Sequence, residues 1–328
     1  MNQRPKPKQI LLSKRANVFY LEHVRVMQKD DRIVYLTSAD REVERFFNIP
    51  ERNTAFVLLG KGTSITDAAA RKLAESNVIV GFTGNGGSPL FCSVDQVFLS
   101  PQSEYRPTEY MQAWIQIWID DAARVKAAKT LLMERFRWTS AAWAANPDLK
   151  QQKIEIPVSM LAVFAEKTAA AEDVAHLMAV EAEWARNIYR SLARGFSFED
   201  FRREEGKQSK AGLEDTANSF IDHGNYIAYG YAAAALNVLG ISFALPVMHG
   251  KTRRGALVFD VADLFKDAIV LPLAFIASQK GYRDQAYRDE LIDACQTQGI
   301  LDHVIETIIE TASEKMLNNQ RVSEAKQE

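Results

Sequence analysis

The chain is poor in the features that most quickly assign a function. Its 328 residues include only two cysteines, Cys92 and Cys295. Two thiols so far apart build neither a disulfide framework nor a zinc ribbon, which fits a reducing cytoplasm. No apolar run approaches the ~18 residues of a membrane span. The nearest, Ala268 to Ser278, is short and contains Pro272. The opening MNQRPKPKQI is basic, but no apolar stretch follows, so no secretory signal is expected. Neither sign of charge dominates. A formal net charge of −2 excludes a protein that coats polyanions through bulk charge and confines any nucleic-acid contact to local patches. The patches available are Arg4, Lys6 and Lys8; Arg202, Arg203, Lys207 and Lys210; and Lys251, Arg253 and Arg254. There is no Rossmann fingerprint, nucleophile elbow or HExxH. Gly60-Lys61-Gly62-Thr63-Ser64 before a helix has the look of a phosphate cradle but lacks P-loop spacing.

What is present divides in two. Short β-branched or aromatic runs fill the first hundred residues: Asn17–Met27, Ile33–Thr37, Ala55–Leu59, Val78–Phe82 and Pro89–Val94. One helix over Ala68–Glu75 interrupts them, with Ser64 as its expected N-cap, and Asn85-Gly86-Gly87 reads as a hairpin turn. From Pro107 the texture becomes helical, with Tyr110, Trp114, Ile117 and Trp118 at helical spacing and long helical segments to about Asn318. The charged, Gly-containing stretch 196–215 reads as a mobile connection between helices. The predicted fold is therefore α+β: a small β-domain with one or two helices over residues 1–104, then a larger all-α domain over 105–328.

Three places in the helical half break the rules of burial. A helix from about Ala256 places Asp260, Asp263 and Asp267 on one face, at i, i+3 and i+7, of a segment that is otherwise apolar around most of its circumference. Buried carboxylates demand a counter-charge, a metal or an arginine. Over residues 174–193, Glu181 sits inside the stripe Leu177, Trp184, Ile188, Leu192, while Glu183 lies on the polar side with Arg186, Asn187 and Arg190. A glutamate so placed is a rim residue, an arginine partner or a metal ligand. A helix over about Thr216–Leu239 is crowded with small residues and carries the polar line Asn218, Asp222, Asn225, which reads most simply as a hydrogen-bonded helix interface. His249 ends an apolar turn just before Gly250. One imidazole with two or three carboxylates suits Mn²⁺ or Mg²⁺ better than zinc. Lys251, Arg253 and Arg254 beside it would meet phosphates, or else neutralise the aspartates.

Together these segments resemble the CRISPR-associated integrase family, the universal spacer-acquisition endonucleases and integrases. The resemblance spans nearly the whole chain: LLGKGTSIT at Leu58–Thr66, GFTGNGGSPLF at Gly81–Phe91, VEAEWARNIY at Val180–Tyr189 and MHGKTRRGALVFDVADLFKD at Met248–Asp267. Asn218 falls where the family has an Asn opening a helix that ends in Tyr-Gly, here Tyr229-Gly230. SPQSEYRPTEY and the pair Arg253-Arg254 look like the type I-F subgroup. Ala182 replaces a glycine common after the family's glutamate.

The resemblance implies a metal site of Glu181, His249 and Asp263, accompanied by Asp260, with Mg²⁺ or Mn²⁺ as cofactor. It also implies homodimers formed largely through the β-domains. Two such dimers would be bridged by a small ferredoxin-like adaptation subunit, which in type I-F is fused to a helicase-nuclease. The expected activity is insertion of short foreign DNA at the CRISPR repeat by 3′-hydroxyl attack on a phosphodiester, with Lys251, Arg253 and Arg254 on the DNA backbone. Two other readings stand beside it: a metal-dependent nuclease acting alone on branched DNA, and a metal-free scaffold whose aspartates are neutralised by arginines.

Overall fold

The structure, a computed structural model, describes residues 14–37, 45–83, 90–92, 108–198, 201–204, 212–250 and 255–324. The chain divides into two compact units, Met1–Glu104 and Tyr105–Glu328.

Among its described residues the first unit holds two four-stranded sheets. In one, β1 (Asn17–Leu21), β5 (Thr54–Leu59) and β7 (Ile79–Phe82) run parallel, and β8 (Leu90–Cys92) closes the edge antiparallel to β7. Every residue of β5 is buried, as its unbroken TAFVLL run requires of a central parallel strand. The other sheet orders β4 (Arg45–Ile49), β3 (Arg32–Thr37), β2 (Val24–Lys29) and the short β6 (Ser64–Ile65). Helix α1 (Asp67–Glu75) packs Ala69 and Leu73 into an apolar cluster with Val26, Ile33, Ile49, Val57 and Val80.

Two local expectations are corrected. Asn17–Met27 is not one strand: the chain breaks at His23, which takes a left-handed conformation (φ 55°), and β1 and β2 enter different sheets. Nor does Ser64 cap α1. It is drawn into β6 opposite Arg25, and Thr66, directly before the helix, caps it: Thr66 Oγ1 accepts the Ala69 N–H. The glycines of the 60–64 loop have a packing reason: Gly62, at φ +70°, lies under the His23 imidazole, where a Cβ would come within 2.5 Å of Nδ1. The Asn85-Gly86-Gly87 turn lies outside the described residues.

The second unit is helical: α2 (Glu109–Ile119), α3 (Asp121–Ala145), α4 (Pro147–Gln151), α5 (Val158–Ala170), α6 (Val174–Gly195), α7 (Leu213–Val238), α8 (Ala256–Phe265), α9 (Leu271–Gln279), α10 (Asp284–Thr297) and α11 (Ile300–Glu324). A π-helical turn, Lys266–Val270, joins α8 to α9. The whole is α+β, a small β unit followed by a larger helical one. All ten residues of α8 are buried, against α3 and α7. Small residues let α7 approach closely: a Cβ on Gly224 would collide with the Tyr287 hydroxyl and Val270. Among the described residues no helix is long and apolar enough to cross a membrane.

The 196–215 connection is not free along all its length. Asn218 Oδ1 accepts from the Glu204 N–H, its Nδ2 donates to the Arg202 carbonyl, and Arg203 pairs with Asp222. Two members of the polar line on α7 thus pin the described residues 201–204 of the connection.

Candidate metal centre

Helices α3, α6 and α8, the turn before α8 and the π-helical turn after it converge inside the helical unit. On α6 the stripe Leu177, Trp184, Ile188, Leu192 is wholly buried and carries Glu181 inward with it, 8 % exposed. On α3 the same logic buries Arg135 among Leu131, Leu132, Phe136 and Thr139. The turn before α8 supplies His249, and α8 supplies Asp260 and Asp263. The π-helical turn adds Lys266 and Asp267, consistent with the frequent placement of such turns at functional sites.

One donor atom each of Glu181, His249 and Asp263 lies within 4.8 Å of the others. His249 Nε2 stands 3.7 Å from Glu181 Oε2 and 3.9 Å from Asp263 Oδ2. Donors gathered around one small divalent ion at ~2.1 Å stand roughly 3 to 4.3 Å apart, so these separations fit an ion. Asp260 does not join them. Its Oδ2 accepts the Val247 and Met248 N–H groups, and its Oδ1 accepts the His249 N–H and Nδ1–H at 3.0 and 2.6 Å. A carboxylate on Nδ1 fixes the tautomer and turns Nε2 toward the two other carboxylates.

The third aspartate of the helix has a different partner. Asp267 Oδ2 accepts from Arg135 Nε at 2.7 Å and from Trp184 Nε1 at 2.8 Å, while its carbonyl accepts from Trp143 Nε1. Arg135 also donates through Nη1 to Glu181 Oε1 at 2.6 Å and stands 3.8 Å from Asp263. Lys266 pairs with the remaining Asp263 oxygen, Oδ1, and lies over the Tyr229 ring.

Charge follows from these contacts. Burial pushes the Glu181 carboxyl up, reinforced by Asp263 and opposed by Arg135 and His249. Burial would push Asp263 up too, but Lys266, Arg135 and His249 outweigh it and hold it below the usual carboxylate range. Burial opposes the charged imidazole of His249, yet its bond to Asp260, with Asp263 and Glu181 nearby, raises it to about 9. Without a cation in the centre, the fold therefore keeps His249 protonated near neutral pH.

Sequence reasoning named Glu181, His249, Asp263 and Asp260: the first three bring donor atoms together, and Asp260 stands behind His249 on its Nδ1. It missed Arg135, Lys266 and Trp184. A signal for Arg135 existed, an arginine on the stripe Leu131–Arg135–Thr139, but the spacing does not tell which carboxylates it meets. Lys251, Arg253 and Arg254 lie outside the described residues. Among the described residues the cations beside these carboxylates are Arg135 and Lys266. Glu183, on the polar side, pairs with Lys167 at 2.6 Å.

Residues 19–295 match the family profile described as CRISPR associated protein Cas1. The chain is 43 % identical over 313 residues to the CRISPR-associated endonuclease Cas1 of Pseudomonas aeruginosa (strain UCBPP-PA14), covering 93 % of this chain and 95 % of that protein. It is 42 % identical to the protein of the same name from Pectobacterium atrosepticum, with the same coverage. Among solved structures it is similar to the TtCas1–DNA complex (TM-score 0.63, 22 % identity, 90 % and 91 % of the two chains). It is also similar to a casposase bound to its integration product (TM-score 0.66, 16 % identity, 90 % and 91 %). A chain of a Cas6-RT-Cas1–Cas2 complex matches over 93 % of this chain and 35 % of its own length (TM-score 0.64, 15 % identity). At those identities the structural likeness is one of fold.

Proposed function

The chain belongs to the Cas1 family of CRISPR-associated proteins, and from that premise we propose that it is a metal-dependent DNA endonuclease and integrase of spacer acquisition. It acts with Mg²⁺ or Mn²⁺ held by Glu181, His249 and Asp263. One observation carries this reading: three donor atoms from two helices and the turn before one of them meet within 4.8 Å in the helical unit. The bound cation supplies Lewis-acid polarisation of a phosphodiester and stabilises the charge that develops on its oxygens.

The chain's own residues do the rest. Asp260 keeps the His249 ring in one orientation. Arg135 and Lys266 offset the carboxylate charge when no substrate is present. Lys251, Arg253 and Arg254 hold the scissile strand by its phosphates, which positions the strand without reading sequence. The 3′-hydroxyl of a short foreign duplex attacks a phosphorus at the repeat boundary. A new P–O bond forms, the bond to the repeat's 3′-oxygen breaks, and that oxygen leaves with the proton given up by the attacking hydroxyl. No covalent protein–DNA intermediate is needed. The DNA bound by TtCas1 and the integration product bound by the casposase support this substrate and reaction class.

The N-terminal unit is the homodimerisation surface in this reading. Strand β4, at a sheet edge among the described residues, exposes Phe46 and Phe47, and an exposed apolar edge strand calls for a cover. The second partner is a small ferredoxin-like adaptation subunit, fused in the type I-F arrangement to a helicase-nuclease. A Cas1–Cas2 assembly among the fold neighbours supports a partner of that kind.

Joining of labelled short duplexes to a supercoiled plasmid carrying the repeat tests the proposal. Asp263→Asn should abolish joining while leaving DNA affinity within about twofold, since the change removes a cation ligand and no phosphate contact. Near-normal joining by that variant overturns the mechanism. The word endonuclease in the relatives' names favours a second outcome at the same centre. There water replaces the 3′-hydroxyl, and branched DNA is cut to free ends rather than joined.

A further inference from the structure

Each candidate cation ligand has two donor atoms, and in each the protein has already engaged one. His249 gives Nδ1 to Asp260 and keeps Nε2 inward. Glu181 gives Oε1 to Arg135 and keeps Oε2, the oxygen facing His249. Asp263 gives Oδ1 to Lys266 and keeps Oδ2, again facing His249. The engaged partners are themselves fixed. Arg135 is held by Asp267, and Asp267 by Trp184. Lys266 lies over the Tyr229 ring.

Resting on the metal reading above, we propose that Arg135 and Lys266 are selectivity-determining residues that restrict Glu181 and Asp263 to one oxygen each. The protein would then offer a cation three donor atoms, one from each ligand. Mg²⁺ and Mn²⁺ accept that arrangement. Ca²⁺ is larger, takes six to eight oxygens and commonly binds carboxylates through both. Capping the second oxygen of each carboxylate thus discriminates against Ca²⁺ by denticity. Asp267 is a positioning residue in this scheme, since it touches the guanidinium and no ligand.

Charge alone does not give the same result. A cation beside a carboxylate weakens every divalent ion to a similar degree, because the ions carry equal charge. The ratio of two affinities therefore separates denticity from electrostatics. Lys266→Met is the preferred variant, because it keeps the length of the side chain over Tyr229 and leaves the Arg135 network whole.

Calorimetric titration of the full-length protein with Mn²⁺ and with Ca²⁺, without DNA, provides the test. In Lys266→Met, the preference for Mn²⁺ over Ca²⁺ should fall by roughly tenfold, as Asp263 Oδ1 becomes available to the larger ion. Asp267→Asn, which loosens Arg135, should move the ratio in the same direction by a smaller factor. Both affinities rising together, with the ratio unchanged within about twofold, overturns the proposal and leaves the metal site standing. If the parent shows no saturable binding of Mn²⁺, the metal reading itself fails.

Discussion

Metal binding at this centre should be a proton-release reaction, and its size follows from the surroundings of His249. The imidazole is raised to about 9 by its bond to Asp260 and by Asp263 and Glu181, and a cation must displace the proton from Nε2. At pH 7 the apparent affinity should lie roughly a hundredfold below its high-pH limit, climb about tenfold per unit toward pH 9, and flatten above it. Calorimetry in buffers of different ionisation enthalpy reads this directly, and about one proton should leave per ion at pH 7. The sign extends to the metal-free fold. A folded-state value above the ordinary 6.5 adds stability that is complete below that pH and lost as pH rises through about 9, on the order of 3 kcal/mol. Asp260→Asn removes the strongest of the raising contacts, so proton release at pH 8 and the pH dependence of stability should shrink together. Metal affinity independent of pH between 6 and 9, or proton release unaltered in Asp260→Asn, would refute the reasoning.

Arg135→Met should cost the metal-free protein about 3–5 kcal/mol, because Glu181 and Asp267 lose a buried counter-charge. Chemical denaturation of single and double variants should show that Asp267→Asn adds less on that background than on the parent. Gly224→Ala should lower stability by about 1–3 kcal/mol, since the new Cβ meets the Tyr287 hydroxyl and Val270 in a tight helix contact. Thermal unfolding checks it. Arg253→Glu with Arg254→Glu should weaken DNA binding and flatten its salt dependence by about one unit of slope per lost phosphate contact. Equal slopes in variant and parent would mean that those side chains do not touch phosphate.

The fold was legible where period and burial coincide. β5 reads as an apolar run because both its faces are buried. α6 reads as a helix because its stripe returns at helical spacing, and Glu181 stood out for sitting in that stripe. Ser64 and the break at His23 were not legible. Both depend on which sheet a segment joins, a tertiary choice that local propensity does not encode. The same limit applies to the counter-charges. Buried aspartates demand a cation opposite them, and Arg253 and Arg254, on the loop before the helix, were the candidates read from the sequence. The pairing observed is with Arg135, 132 residues away from Asp267, and with Lys266, one turn along.

That difference changes what the aspartates on the α8–π-turn segment mean. Read as a helical face, Asp260, Asp263 and Asp267 are one row of buried carboxylates with a common demand for counter-charge. In the fold they meet three different environments: backbone N–H groups of 247–249, the open centre, and the Arg135–Trp184 pair. The π-helical turn that begins at Lys266 contributes, because it lets Lys266 meet Asp263 while Asp267 reaches Arg135. A row of like charges on one buried segment would repel if left together. Distributed among three separate partners, each becomes a condition for the next: Asp260 aims the imidazole, Asp267 holds the arginine that holds Glu181, and Asp263 turns an oxygen toward His249.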